Sequence, residues 1–366
     1  TFTTAAAGEM KQRFWKKYAE DGMVTFCTIH SFCLATLKKF AHFDAECVLA
    51  TGDIYEFFFQ QLVRHKEIVD KVEYIKALLL DIAVCKNSMC PLAQFEPNCG
   101  EKELFDELFK AYENWKDALG KIDYDDMLLK AYELMKNDKT CLEWLQERYQ
   151  YIQIDEFQDT NYLQRDILYL LAGENGNIAV VGDDDQSIYR FRGARPEIML
   201  GFEKDYPNAI RILLNINYRS DAYIVAAANH LIVHNTARFP KKIRASHQAA
   251  FPVLLKPCRD PAEQNKYLTA QLRDYHAQGY AYEQMAILFR TNLGIRFVMD
   301  ALMKGGIPFH MKDAIPNLFA HWISLDIIAY LRLVSGTGNT RANWLRIMNR
   351  PNRYIKREAL APFTSD

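Results

Sequence analysis

A change of texture at Tyr151 most constrains the fold. Beyond it, short apolar runs alternate with helical patterns. Tyr151–Ile154, Asn177–Val181 and Ile210–Leu214 read as strands, the first ending in acids and the second at Gly182. Thr160–Ala172 reads as a helix, and another opens at Glu197–Phe202. A third runs from Ser220, as its N-cap, through His234. Val253–Lys256 and Met285–Phe289 continue the strand series, with helices at Ala262–Gln278 and Ile295–Lys304, the last stopping at Gly305–Gly306. Strands and helices alternating over short connections predict the α/β class with parallel, doubly wound sheets.

Before Tyr151 the pattern differs. Residues 8–20 and Ser31–Phe40 are helical, with a short strand at Val24–Thr28 between them. From about residue 40 to 147 the chain is almost wholly helical. One break, Cys90–Gly100, is marked by Pro91, Pro97 and Gly100. A helical block is thus inserted into the first of two α/β regions, 1–209 and 210–335.

Composition excludes several classes. Glycine and proline, 16 and 12 of 366 residues, are too scarce for a collagen-like or Pro/Gly-rich disordered chain. Apolar runs such as Ala77–Cys85 fall well short of the ~18 residues that span a bilayer, and no signal peptide opens the sequence. The formal net charge is −1, so any nucleic acid must be held by a local patch. Arg341 to Arg357 contains basic residues and no acid. The acid-rich stretch from Glu101 to Asp126 reads as a solvated helix face. The eight cysteines form no C-x-x-C pair and read as reduced thiols of a cytosolic protein. Cys85, Cys90 and Cys99 fit no zinc or iron–sulfur spacing, and His230 and His234 lack the glutamate of H-E-x-x-H.

Three segments carry chemistry. In YIQIDEFQDT, Asp155 and Glu156 stand where a strand ends, and ligands of open parallel sheets bind beyond the strands' carboxyl ends. One acid there can hold Mg²⁺ against nucleotide phosphates, and a second can orient or deprotonate water. Alone, the pair also reads as two loop acids favoured by a helix N-terminus. In VVGDDDQSIYRFRGA, Gln186 can hydrogen-bond both a phosphate oxygen and a water. Tyr189 and Phe191 alternate with Arg190 and Arg192, so rings can stack on bases while guanidinium groups attract the phosphate chain. In LLNINYRSD, Arg219 can neutralise charge on a transferred phosphoryl group and Tyr218 can stack on a base. In isolation these two read as a structural ion pair and a half-buried tyrosine.

IDEFQDT, GDDDQSIYRFRGA and NYRS, in this order and at these spacings, closely resemble superfamily 1 DNA helicases of the UvrD/Rep/PcrA type. TFTTAAAGEM at Thr1–Met10, TIHSF at Thr28–Phe32 and IDYDDML at Ile122–Leu128 resemble further segments of that family in the expected order. So do AILFRTN at Ala286–Asn292, GIPF at Gly306–Phe309 and LRIMNRPNRYIKREAL at Leu345–Leu360.

The resemblance implies two RecA-like motor domains with an inserted all-helical subdomain, the first motor domain incomplete. It makes 336–366 the start of a second helical insertion. It implies ATP-driven 3′-to-5′ movement on single-stranded DNA, with ATP and Mg²⁺ as ligands. Single-stranded DNA and junctions with duplex would be the substrates, repair or replication proteins the partners, and the bacterial cytoplasm and nucleoid the setting. Asp155 would hold Mg²⁺ and Glu156 would activate water. Gln186 would sense the γ-phosphate, Arg219 would act as an arginine finger, and Tyr218 would stack near adenine. Phe2, Thr3, His30, Ser31, Tyr189, Phe191, Arg192 and Asn292 would touch single-stranded DNA.

The sequence departs from the family pattern in several places. It contains no G-x-x-x-x-G-K-[ST] loop, whose backbone amides and lysine cradle phosphates, so it reads as an internal piece of a longer helicase that hydrolyses ATP poorly by itself. Phe191 replaces the family's tryptophan, Thr4-Ala5 replace Asn-Lys, and Ile29 replaces phenylalanine. Tyr354 and Lys356 replace glycines, which weakens the expected backbone contact to duplex DNA. Two alternatives remain at this stage: a non-catalytic nucleic-acid-binding module, and the motor part of a RecB/AddA-like helicase–nuclease.

Overall fold

The computed structural model describes residues 1, 3–18, 23–65, 68, 70–173, 176–249, 251–291, 294–311, 319 and 321–360. The chain divides into two compact units, Thr1–Val253 and Leu254–Asp366.

The first unit opens with helix α1 (Thr4–Tyr18), started by Thr3, whose Oγ1 accepts the Ala6 amide at 3.1 Å. Helix α2 (Ile29–Phe40) is capped by Thr28, which accepts the Ser31 amide. The helical block follows as α3 (Thr51–Gln61), α4 (Lys71–Asn87), α5 (Lys102–Leu119), α6 (Tyr124–Asn137) and α7 (Lys139–Arg148). Helix α5 ends on Gly120 at φ +61°, a left-handed position that glycine adopts without a Cβ clash. Phe58, Ile75, Leu78, Phe105 and Tyr112 bury one core within α3–α5. Leu37, Leu128, Met135, Phe157, Leu163 and Ile167 bury a second around α2, α6 and the first sheet. Each such side chain contributes about 1.5–3 kcal/mol of burial.

The acid-rich stretch is the solvated face expected of it at Glu101, Glu103, Glu107 and Asp117, but departs from it at Glu113, Asp123 and Asp126. Lys86 of α4 and Lys116 of α5 turn inward, their side chains 4% and 2% exposed, and both meet Asp123 at 3.0 Å. Lys86 also reaches Asp126 at 2.7 Å, Lys116 reaches it at 2.5 Å, and both reach Glu113 at 2.9 Å. Asp123 and Asp126 form a capping box at the start of α6, so their carboxylates already point at helix amides. Burial alone would lower the Lys86 ammonium, but Asp123, Asp126 and Glu113 outweigh it and hold the group charged. Burial alone would raise Asp123, and the two lysines hold it below the usual carboxylate range. Sequence reading misses this because lysines and acids at separate helical positions look solvated until helices bring them together.

Strand β1 (Ile152–Ile154) pairs in parallel with β2 (Ile178–Val180), register Ile152↔Ile178, with α8 (Tyr162–Ala172) between them in sequence. Helix α9 (Pro196–Asp205) follows. A second small parallel pair joins β3 (Ile216–Asn217) to β4 (Arg244–Ala245) across α10 (Ala222–Ile232). The class is therefore α/β, helix-rich with small parallel sheets.

Several expected strands are absent among the described residues. Val24–Thr28, Ile210–Leu214, Val253–Lys256 and Met285–Phe289 join no ladder, and the third strand falls at Ile216–Asn217 instead. A strand exists only as half of a hydrogen-bonded pair, and these runs have no such neighbour here. The apolar side chains of Ile210–Leu214 accordingly lie open, Ile210 at 88% and Leu214 at 78%, whereas Ile287 and Phe289 still pack against the core of Val298, Leu302 and Ile307. The N-cap of α10 is Asp221, one residue beyond Ser220, because the Asp221 carboxylate accepts both the Tyr223 and Ile224 amides.

In the second unit, α11 (Pro261–Ala277) and α12 (Ile295–Lys304) enclose Val298, Leu302 and Ile307. Helices α13 (Trp322–Val334) and α14 (Arg341–Ile347) are tied by Asp326, which pairs with Arg346 at 2.8 Å and Arg350 at 2.7 Å. Among the described residues no helix is long and apolar enough to cross a membrane.

Candidate functional site

The site lies beyond the carboxyl ends of β1 and β2. The Val181 amide donates to Ile154 O at 2.8 Å and the Phe157 amide to Val181 O at 3.0 Å, which aligns the two exits. Asp155 is half-buried at the first exit, and its carboxylate accepts no hydrogen bond among the described residues. Glu156 follows at φ +55°, a left-handed backbone that costs a non-glycine residue about 1–3 kcal/mol and that clusters at functional sites. That turn reverses the chain into buried Phe157, Gln158 and Asp159.

Gln158 bridges the exits. Its Nε2 donates to Glu156 Oε2 at 2.7 Å, and its Oε1 accepts the Asp183 amide at 3.0 Å. Asp183 in turn accepts from Gln186 Nε2 at 2.7 Å. One hydrogen-bonded run therefore joins Glu156, Gln158, Asp183 and Gln186. Gly182 permits it, since a Cβ there would stand 2.5 Å from Gln158 Oε1 and 3.1 Å from the Phe157 nitrogen. Burial, and then the Glu156 charge, push the Asp159 carboxyl up to about 6.

Downstream of Gln186 the chain forms a tight turn at Arg190–Arg192, closed by Gly193 at φ +91°. The Tyr189 and Phe191 ring centroids lie 6.2 Å apart, and the Arg192 guanidinium sits over both, at 5.2 and 5.6 Å. Phe191 is 59% exposed, so its face is open to a ligand. The α2 N-terminus supplies half-buried His30 and exposed Ser31. Burial lowers the His30 pKa, favouring the neutral ring. Ser31 Oγ lies 2.9 Å from Thr28 Oγ1, and Thr3 is exposed at the start of α1. Phe2 and Asn292 lie outside the described residues.

Tyr218 and Arg219 leave β3 through a turn in which Asn217 Oδ1 accepts the Arg219 and Ser220 amides at 2.9 and 2.8 Å. Tyr218 is 71% exposed rather than half-buried. The Arg219 guanidinium is exposed and carries no ion pair among the described residues. No hydrogen bond or ion pair among the described residues joins either side chain to Asp155, Glu156 or Gln186.

The pattern of the UvrD/REP helicase N-terminal domain matches residues 1–207, and that of the UvrD-like helicase C-terminal domain matches 212–365. The chain belongs to the UvrD/REP helicase family. It is 31% identical over 361 residues to the ATP-dependent DNA helicase PcrA of Staphylococcus epidermidis, covering 97% of this chain and 49% of that protein. It is 30% identical over 361 residues to PcrA of Staphylococcus aureus, again covering 97% and 49%. It is 33% identical over 350 residues to YjcD of Bacillus subtilis, covering 93% and 46%. The chain thus spans about half the length of these relatives.

Within the UvrD/REP frame, two residues near the site were not assigned roles from sequence. Gln158 lies inside IDEFQDT, but its bridge spans 25 residues to Asp183 and no local pattern announces it. Tyr124 lies inside IDYDDML and is 61% exposed. Its ring stands edge-on to His30 at 6.4 Å. The signal was available, an aromatic breaking a run of acids. Tyr354, standing where the family pattern has glycine, still takes a left-handed φ of +56°. The acidic trio Glu113, Asp123 and Asp126 brings its oxygens close enough for a metal, but the Lys86 and Lys116 ammonium groups already fill it.

Proposed function

We propose that this chain forms part of an ATP-dependent DNA motor that moves 3′ to 5′ along single-stranded DNA and opens junctions with duplex. The architecture in this reading is two RecA-like domains, 1–209 and 210–335. The helical block at about 40–147 is inserted in the first, and a second insertion begins at 336–366. The observation that carries the reading is the run Glu156–Gln158–Asp183–Gln186, which ends a few residues from the open ring of Phe191. A nucleotide contacting Gln186 and a base stacked on Phe191 would act on one short loop.

In this reading Glu156 orients and deprotonates the attacking water, steadied by Gln158. Gln186 contacts the γ-phosphate, Arg219 neutralises charge on the transferred group, and Tyr218 stacks near adenine. Asp155 fits Mg²⁺, a hard cation that takes one or two carboxylates plus phosphate oxygens, because its half-buried carboxylate is otherwise unengaged among the described residues. Mg²⁺, when bound, supplies charge neutralisation of the phosphates. Thr3, His30, Ser31, Tyr189, Phe191 and Arg192 contact the strand in this reading, joined by Tyr124 beside His30; the same role is proposed for Phe2 and Asn292, which lie outside the described residues. The phosphate-cradling glycine–lysine loop is no part of this sequence, so hydrolysis is tested in a form of the protein that carries one.

Glu156→Gln should lower ATP turnover there by about 10²-fold or more while leaving single-strand affinity within a factor of about two. Steady-state hydrolysis and fluorescence anisotropy measure the two effects. Unchanged turnover would remove Glu156 from the water-activating role.

A further inference from the structure

The loop that carries Gln186 is gripped from outside its own sheet. Asp183, Asp184 and Asp185 follow β2 in succession, and a segment beyond α10 closes on all three. Arg238 donates two parallel hydrogen bonds to Asp185, Nε to Oδ1 at 2.6 Å and Nη2 to Oδ2 at 2.5 Å. The Phe239 amide donates to Asp184 Oδ2 at 2.8 Å. Lys241 Nζ reaches Asp183 Oδ1 at 2.7 Å, Asp185 Oδ2 at 3.3 Å, and Asp184. The Lys241 and Asp184 side chains are only 6% and 2% exposed, so water screens this contact little. Burial alone would raise the Asp183 carboxyl, but Lys241 and Gln186 outweigh it and keep the group ionised. It therefore stays an acceptor for Gln186.

The gripping segment is itself anchored. Asn229 of α10 donates to Ile243 O at 2.8 Å, and Arg244–Ala245 pair with β3. Strand β3 runs directly into Tyr218 and Arg219. The same short stretch therefore touches the turn after β2 at one end and the strand before Arg219 at the other.

We infer that Arg238 and Lys241 are positioning residues that clamp the Asp183–Asp185 turn and thereby set Gln186 and the Tyr189–Phe191 ring cluster. This rests on the nucleotide-and-strand reading of that loop given above, and adds the groups that hold it. Three successive carboxylates repel one another, and the two cations cancel that repulsion. Without them the turn swings toward water and Asp183 no longer fixes Gln186.

The test uses the 366-residue chain. Lys241→Met and Arg238→Asp each break the clamp. Lys241→Arg keeps the charge, and Arg238→Asp combined with Asp185→Arg restores the pair with its signs exchanged. Lys242→Met removes an exposed cation one residue away and is the control. Amide hydrogen exchange is followed over residues 183–192, with α8 as internal reference. The two breaking variants should speed exchange at 183–192 by about tenfold or more and leave α8 unchanged. Lys241→Arg and the exchanged pair should return it toward the parent, and Lys242→Met should not move it. Affinity for an oligo-thymidine strand should fall several-fold in Lys241→Met and stay level in Lys242→Met. Unchanged exchange, a rise in step with α8, or no rescue by Lys241→Arg overturns the clamp. If the parent chain binds no oligo-thymidine, the strand reading falls, and the exchange data alone decide the clamp.

Discussion

At the scale of single residues, the site depends on close approaches that tolerate no added atom. Gly182 illustrates this: its Cβ position is 2.5 Å from Gln158 Oε1. Gly182→Ala should push Gln158 off Asp183 and destabilise the chain by about 1–3 kcal/mol, read as a lower urea midpoint at unchanged slope. Asp159 supplies a pH signature. Its carboxyl, pushed up to about 6 by burial and then by Glu156, binds its proton more tightly folded than unfolded. That contribution is complete below the unfolded value near 4 and is lost as pH rises through about 6. Asp159→Asn cannot ionise, so its melting temperature relative to the parent should be higher at pH 8 than at pH 5. A difference that does not change with pH would remove Asp159 as the source. The placement of Asp155, Glu156 and Gln186 just beyond strand ends was legible in sequence, because strand-end acids and a turn glutamine are local signals. Gln158 and the Arg238–Lys241 grip were not, since each acts on a partner 25 or more residues away.

At the scale of elements, α4 and α5 are locked to the start of α6 by charge as well as by apolar contact. Lys86 and Lys116 share Asp123 and Asp126 in a nearly dry setting. Removing one lysine strands buried carboxylates, so Lys86→Met should cost about 3–5 kcal/mol in urea unfolding. Loss of less than about 1 kcal/mol would mean that water reaches the cluster and screens it. Helices were far more legible than strands for a physical reason. A helix such as Ile295–Lys304 satisfies its own backbone and carries its period in its own residues. The run Ile210–Leu214 is equally apolar, but its strand character depends on a neighbour that the described residues do not supply. The acidic stretch misled for the converse reason: its polarity suggested water, but Lys116 within it and Lys86 of α4 meet its later carboxylates in the interior.

At the scale of the whole molecule, a net charge of −1 means that any attraction to DNA is focused rather than general. The focus proposed here is the ring and guanidinium cluster of Tyr189, Phe191 and Arg192. The most direct measurement is fluorescence anisotropy of a labelled single strand against this chain and its Phe191→Ala variant, across a salt series. Affinity should fall linearly on a log–log plot as salt rises, and Phe191→Ala should lose about 1–3 kcal/mol per stacked base at every salt concentration. Binding insensitive to both salt and Phe191, or no binding by the parent, would contradict the assignment of this loop to the strand.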